Sequence, residues 1–233
     1  MKAVILAGGL GTRLKPFTQV IPKPMLPLGE KSILEVQLSF LKKHGFDEIY
    51  LATNYRSEYI QAFFGDGSKY DVKLTISKED KPLGTCGPLT LLSDSLDEPF
   101  LMMNGDILTT LSFSELYMNS LKNDALLTVV TKEIILPFQF GNVFHDGDYI
   151  TGVEEKPDFR HEIIAGIYIL KPQILQYIPK DTYYGIDTLI KLMLDKKLPI
   201  FRYLTKDYWI DIGRLGDYSE AQEVYEKHIQ NHI

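Results

Sequence analysis

The chain is expected to be an α/β protein, a mostly parallel sheet covered by helices on both faces with an antiparallel insertion past the middle. Three observations predict this. Short apolar runs alternate with amphipathic ones through the first half of the 233 residues, the βαβα order that builds parallel sheets. The second half changes character around His145-Asp146-Gly147-Asp148, a hairpin signal between two strand-like segments. A composition of 45% hydrophobic and 24% charged residues supplies a sizeable core.

Taken in order, residues 3–7 read as a buried strand. Residues 32–44 read as a helix, opened by the capping-box pair Ser32 and Glu35 and stopped by Gly45. A strand over 48–54, a short helix over 58–64 and an alternating strand over 72–78 follow. Residues 100–103 form an apolar strand that ends in Asn104-Gly105-Asp106. Then come a helix over 112–121 and a β-rich run over 125–131. The hairpin joins 142–144 to 149–155, and 163–170 is a further strand. Helices over 187–194 and 217–228 bracket strands near 200–204 and 208–212. No internal repeat, low-complexity tract or linker interrupts this order, and nothing after the last helix reads as hexapeptide repeats of a β-helix. One domain over 1–233 is expected.

A net charge of −6 argues against a general nucleic-acid binder. An anionic ligand must then be held by a few placed cations rather than by a global field. One cysteine, Cys86, excludes an internal disulfide framework and suits a reducing compartment. It reads as a small packed residue. No stretch approaches the roughly 18 apolar residues of a membrane span, and the glycines and Arg13 come too early for a signal peptide. A cytoplasmic protein with no membrane partner is the expectation.

The chemistry begins at Gly8, Gly9 and Gly11, directly after the first strand. Successive amides in such a turn make a concave anion site. Arg13 and Lys15 add charge, and Pro22 and Pro24 stiffen the chain around Lys23. A dinucleotide fingerprint fails because Leu14 stands where its third glycine belongs, and a Walker A loop fails because Gly11 is followed by Thr12-Arg13. An ordinary tight turn explains the glycines alone. Glycines, arginine and Pro-Lys-Pro together point to a polyphosphate. In open α/β sheets ligands lie beyond the carboxyl ends of strands, where both the glycines and Asp106 fall.

The stretch "LAGGLGTRLKPFTQVIPKPMLPL" resembles the signature of the sugar-1-phosphate nucleotidyltransferases, also called nucleotide-sugar pyrophosphorylases. Ordered matches continue through "EDKPLGTCGPL" (79–89), "NGD" (104–106), "FG" (140–141), "VEEKP" (153–157), "AGIYIL" (165–170) and "WIDIG" (209–213), nearly the whole chain. The resemblance implies a Rossmann-like three-layer sandwich. It also implies a reaction in which a sugar 1-phosphate attacks the α-phosphorus of a nucleoside triphosphate and pyrophosphate leaves.

By that resemblance, Arg13 and Lys23 grip the triphosphate and steady the departing pyrophosphate. Leu6, Ala7, Gly8, Gly9, Gly11, Thr12, Glu79 and Gly84 form the nucleotide site, while Gly141, Glu155 and Lys156 receive the sugar phosphate. Asp106 and Asp211 hold Mg²⁺, an ion that commonly takes one or two carboxylates plus phosphate oxygens. Without the resemblance, Asp106 and Asp211 read as turn residues and Glu155-Lys156 as a charged hairpin exit. The nucleophile is a phosphate oxygen, largely ionised near pH 7, so no general base is needed. The five histidines (44, 145, 161, 228 and 232) lie outside every motif and are expected at the surface.

Two positions bear on specificity. Ile164 stands before "AGIY", where family members usually carry a sugar-contacting asparagine, so a mannose-like acceptor is in doubt. Glu79 stands where relatives using thymidine or uridine triphosphate tend to carry glutamine. A carboxylate only accepts hydrogen bonds, which suits guanine's adjacent N1–H and 2-amino donors. The pattern E-x-x-PLGT-x-GPL looks most like the mannose-1-phosphate guanylyltransferase-type branch. GTP is therefore expected, with UTP, dTTP or CTP as alternatives and a solvated charge beside Lys78 and Asp80 as the plain reading of Glu79. A non-catalytic regulatory homologue and a metal-dependent glycosyltransferase are the other classes. The latter usually shows an Asp-x-Asp pair, and Asn104-Gly105-Asp106 supplies one carboxylate. A homo-oligomer, with a dimer favoured, is expected, and a stripe of Tyr218, Ala221, Val224 and Tyr225 could face the chain's own core or a second copy.

Overall fold

The computed structural model describes residues 1–9, 11–54 and 56–229. Its first part runs β1 (Lys2–Leu6), β2 (Pro27–Leu28), β3 (Lys31–Ser32), α1 (Ile33–Lys43), β4 (Glu48–Thr53), α2 (Ser57–Phe64) and β5 (Lys73–Lys78). The middle contributes β6 (Phe100–Asn104), β7 (Ile107–Thr109), α3 (Phe113–Leu121), β8 (Leu127–Pro137), β9 (Asn142–Asp146), β10 (Tyr149–Glu154) and β11 (Asp158–Leu170). α4 (Ile186–Asp195), β12 (Ile200–Thr205), β13 (Trp209–Asp211) and α5 (Leu215–Val224) complete it.

Seven strands form one sheet in the order β12-β8-β11-β6-β1-β4-β5. β1 runs parallel to β4 and β6, β4 to β5, and β12 to β8. β11 alone runs against its neighbours β6 and β8, so the expected mostly parallel sheet with an antiparallel element is present. The period-2 alternation of β1 sorts its side chains between two layers. Ala3 and Ile5 join a core with Leu34, Leu38 and Leu41 of α1 and Phe113 and Leu116 of α3. Val4 joins a core on the opposite face with Met102 of β6 and Leu189 and Met193 of α4. Helices therefore cover both faces. Cys86 is fully buried in this second core, as a small packed residue.

α1 begins where the sequence predicts. The Ser32 hydroxyl accepts from the Glu35 N–H at 3.2 Å, and the Glu35 carboxylate accepts from the Ser32 N–H at 2.7 Å, a reciprocal capping box. The middle strands are longer than their apolar runs suggest. β8 and β11 extend outward as a two-stranded arm, paired from Lys132↔Ile163 to Pro137↔Asp158. The β9–β10 hairpin follows at its end as a separate two-stranded sheet. The strand expected near 208–212 is shorter, Trp209–Asp211, and lies outside the main sheet, antiparallel to β7. Three residues are too few for a periodic signal.

A third, smaller core sits at the carboxyl end of the sheet. Leu14 and Leu26 meet Ile210 and Ile212, backed by Ile33 and Val36 of α1 and by Tyr218 and Ala221 of α5. The C-terminal stripe is thus covered by its own chain: Tyr218, Ala221 and Tyr225 are buried there, with Val224 packed against them. This core fixes the backbone beside Arg13, Lys23 and Asp211.

Candidate active site

β1 ends at Leu6 and pairs side by side with Asn104, the last residue of β6. The Gly105 N–H donates to the Leu6 carbonyl at 2.9 Å. The glycine-rich turn and the Asn104-Gly105-Asp106 turn are therefore neighbours, as their places at strand ends predict. On the other side, Asp211 pairs with Ile107, and the Ile212 N–H donates to the Asp106 carbonyl at 2.9 Å. Two aspartates 105 positions apart in sequence are brought together by one short antiparallel ladder.

Lys23 closes the constellation. Its ammonium donates to Asp106 Oδ2 at 2.5 Å, with the two side chains 11% and 23% exposed. The second oxygen, Asp106 Oδ1, is buried and without a hydrogen-bond partner among the described residues, as is Asp211 Oδ1. Burial, and then the charge of Asp106, push the Asp211 carboxyl above the ordinary carboxylate range, with Lys23 and Arg13 opposing. The Arg13 guanidinium lies against Gly213, 3.3 Å from where a Cβ would stand. The four charged groups singled out in the sequence thus share one corner, two cations beside two carboxylates.

Orphaned buried acceptors are costly unless something completes them. Two such oxygens on coupled carboxylates fit a divalent cation. No group of three or more His, Cys, Asp or Glu side chains with that capacity occurs among the described residues. The ion that suits this pair draws its remaining ligands from water and a bound phosphate, the habit of Mg²⁺ rather than of a caged structural metal.

Beside this corner opens a cleft of about 300 Å³, lined by Leu6, Gly8, Gly9, Glu79, Gly84 and Asp106 together with Ala52, Asn54, Pro82, Thr85, Asn104 and Tyr183. A smaller recess of about 40 Å³ adjoins it, bounded by Ala7, Gly9, Lys23 and Asp106. Glu79 is only 6% exposed, so it is not a solvated charge beside Lys78 and Asp80. Its Oε2 accepts from the Leu83 N–H at 2.9 Å, and its Oε1 lies 3.0 Å from where a Cβ on Gly8 would stand. Burial raises its carboxyl, with the Leu83 N–H opposing.

The remaining expected residues fall elsewhere. Gly11 packs on Thr18, whose hydroxyl donates to the Gly11 carbonyl at 2.7 Å, and Thr12 is exposed. Gly141, Glu155 and Lys156 are exposed residues near the β9–β10 hairpin and none lines the cleft. Gly141 and Glu155 are neighbours, with a Cβ at Gly141 lying 3.2 Å from Glu155 Oε2. Ile164, 46% exposed, faces Thr131 on β8. His145 and His161 are exposed as expected, while His44 corrects that expectation. It is half-buried against Phe40 and Phe113 and its Nδ1 lies 3.1 Å from Ser114 Oγ. His232 and the side chain of His228 lie outside the described residues.

Sequence reading missed Gln37. It is 4% exposed, and its amide donates to the carbonyls of Ile107 at 2.9 Å and Asn104 at 3.2 Å, bracketing the turn that carries Asp106. A lone polar residue on the apolar face of α1 was its only signal.

The nucleotidyl transferase family model matches residues 2–228. The chain belongs to that family. Among curated members, it is 33% identical to the UTP–glucose-1-phosphate uridylyltransferase of Synechocystis sp. over 99% of this chain. It is 35% identical to the probable mannose-1-phosphate guanylyltransferase 1 of Oryza sativa subsp. japonica over 97%. The chain spans 65% and 64% of the length of these two nucleotidyl transferase relatives. Among solved structures, HddC from Yersinia pseudotuberculosis superposes with a TM-score of 0.76 at 30% identity, covering 96% of this chain and 99% of that one. A putative glucose-1-phosphate thymidylyltransferase from Bacillus anthracis superposes with a TM-score of 0.79 at 23% identity, covering 96% and 94%, and shares the fold.

Proposed function

We propose that the chain acts as one nucleotidyltransferase unit over residues 1–233, joining a nucleoside triphosphate to a sugar 1-phosphate. An oxygen of the sugar phosphate forms a bond to the α-phosphorus, the bond from that phosphorus to the bridging oxygen breaks, and pyrophosphate departs with the electron pair. The observation that carries this reading is the single corner holding Arg13, Lys23, Asp106 and Asp211 beside the glycine-rich turn.

Arg13 and Lys23 offset the charge that gathers on the β- and γ-phosphates as they leave, in a site already organised for it. Asp106 and Asp211 would hold Mg²⁺, which when bound supplies Lewis-acid stabilisation of the phosphate oxygens. Glu79 sits at the buried part of the cleft, where a carboxylate accepts from guanine N1–H and the 2-amino group. GTP is accordingly the triphosphate of choice. The guanylyltransferase name of the rice relative supports this base, as does a structure of the 30%-identical HddC complexed with GMP-PN. The uridylyltransferase name of the Synechocystis relative is the specific reason to keep UTP as the second reading.

Gly141, Glu155 and Lys156, exposed beside the hairpin at the end of the arm, receive the sugar phosphate in this reading. Lys156, with φ of +47°, sits where the chain turns from the hairpin back into β11. No helix among the described residues is long and apolar enough to cross a membrane, and a reducing cytoplasm suits the free Cys86. The chain is expected to work as a homodimer, which sedimentation equilibrium measures directly.

Pyrophosphate release over a matrix of triphosphates and sugar 1-phosphates tests the assignment. Release is expected only with both substrates present, and fastest with GTP. A regulatory homologue releases none, a glycosyltransferase consumes a finished sugar nucleotide instead, and a pyrimidine preference ends the guanine assignment. Lys23→Ala is expected to lower turnover at least about 100-fold, the usual size of losing one transition-state contact of this kind. Full turnover in that variant would remove Lys23 from the mechanism.

A further inference from the structure

Tyr183 is the one aromatic ring among the described residues lining the main cleft, and it is 70% exposed. Single exposed aromatics are ordinary on protein surfaces. This one differs in how firmly its backbone is held. The next residue, Tyr184, accepts at its carbonyl from the N–H of Cys86 at 2.9 Å and of Gly87 at 3.2 Å, and donates its own N–H to Leu83 at 2.9 Å. The Ile186 N–H then donates to Thr85 Oγ1 at 2.6 Å. Gly84, with φ of +79°, lets the two segments touch, since a Cβ there would lie 2.8 Å from the Tyr184 carbonyl. The loop that carries Glu79 and Gly84 is thus fastened to the entry of α4, which holds the ring over the same cleft.

We propose that Tyr183 is a binding residue for the nucleobase, stacking on its face while Glu79 reads its edge. The inference rests on the reading of this cleft as a triphosphate site. An edge contact from a buried carboxylate fixes the plane of a base but leaves its faces unfilled. An aromatic ring held on a fastened backbone fills one of them with little ordering cost. The ring shares its cleft with Glu79 and Gly84 and not with Glu155 or Lys156, so the base and not the acceptor sugar is its ligand. Stacking tolerates any base, so Tyr183 sets affinity and Glu79 sets identity.

Equilibrium binding by calorimetry, without sugar phosphate, tests this on the full chain. The probes are GTP and UTP, with inorganic tripolyphosphate as a base-free control. Tyr183→Ala is expected to weaken both nucleotides about 10- to 100-fold, in line with measured base–aromatic stacking, while tripolyphosphate binding stays within about 2-fold. Tyr183→Phe keeps wild-type affinity. In turnover, Tyr183→Ala raises the KM for GTP and leaves kcat within about 3-fold. Unchanged GTP binding in Tyr183→Ala overturns the inference, as does an equal loss of tripolyphosphate or a change confined to the KM of the sugar phosphate. The reading of the cleft itself fails, and the inference with it, if the wild-type chain binds neither nucleotide nor tripolyphosphate. A ring this exposed contributes little to the core, so melting temperatures of both variants stay close to wild type.

Discussion

At the scale of single residues, the site holds two carboxyl groups, Glu79 buried and Asp211 half-buried, that both ionise less readily than usual. Glu79 gives one oxygen to the Leu83 N–H and turns the other toward Gly8. Burial raises its pKa, and only the ionised form accepts from both guanine donors. The affinity for GTP should therefore fall as pH is lowered and the carboxylate takes up its proton. Glu79→Gln, which cannot ionise, is expected to bind GTP about 10-fold or more weakly at pH 7, to improve relatively toward UTP, and to lose the pH dependence. Calorimetric titration at several pH values reads all three. Asp211 is raised as well, by burial and by Asp106, and with Asp106 it keeps one oxygen orphaned. The corner is assembled at a cost to folding that a bound cation and phosphates would relieve.

At the scale of elements, α1 does more than cover the sheet. Gln37 projects from its apolar face and holds the two carbonyls on either side of the Asp106 turn, yet its own Oε1 is buried and has no hydrogen-bond partner among the described residues. A side chain chosen only for packing would not leave an acceptor stranded. Gln37→Met preserves bulk and removes both donors. It is expected to lower kcat about 10-fold or more while shifting stability by no more than about 1–3 kcal/mol, the range for a buried carbonyl losing its donor. Steady-state kinetics and chemical denaturation check the two halves. The carboxyl end of the same helix carries His44, whose imidazole burial pulls below the ordinary value of 6.5, with Lys43 adding to the effect. The unfolded chain binds this proton more readily, so His44's contribution is full above about pH 6.5 and is lost as pH falls through the lowered folded pKa. In His44→Gln the melting temperature should fall less steeply between pH 7 and 5.

The same elements show what a sequence discloses. Strand ends marked by Gly8-Gly9 and Asn104-Gly105-Asp106 were legible because turn chemistry is local, and Ser32 with Glu35 announced α1 for the same reason. Arg13, Lys23, Asp106 and Asp211 were singled out by their motifs. That they share a corner depends on the three-residue pairing of β7 with β13, too short to leave a periodic trace. Gln37 was missed because its partner lies about 70 positions away, and Tyr183 because the segment next to it is fastened to the Glu79 loop across about 100 positions, Ile186 to Thr85. Nothing in either local pattern points across such a distance. His44 was read as surface because the aromatic cluster around it comes from two helices.

At the scale of the whole molecule, the two large cores lie on opposite faces of one sheet, and Cys86 is sealed in the one shared by β6, α4 and the Glu79 loop. Burial pushes its thiol up to about 12, so thiolate is scarce at pH 8 and reagent access is closed. Alkylation by iodoacetamide at pH 8 should be slow in the native protein. It should follow opening of that core as denaturant is added, tracking the circular dichroism transition. Prompt labelling without denaturant would show that the layer under the Glu79 loop opens on its own.

β11 changes register between Ile164 and Tyr168, and Gly166 lies inside that shift with φ of +68°, where a Cβ would stand 2.7 Å from both Asn104 Nδ2 and Ile107 Cδ1. The inner half of the strand is core and the outer half is solvent-facing arm. Residues proposed for the acceptor therefore hang from one side of a glycine joint, and those proposed for phosphate chemistry from the other. Substitutions in the outer, solvent-facing half of the strand leave the core beside the carboxylates untouched. Any side chain at Gly166 itself would be held in a left-handed backbone and pressed on the side-chain ends of Asn104 and Ile107, which flank the Asp106 turn. If the acceptor residues proposed on the arm are the right ones, changes of acceptor are tolerated along the arm and not at the glycine at its root.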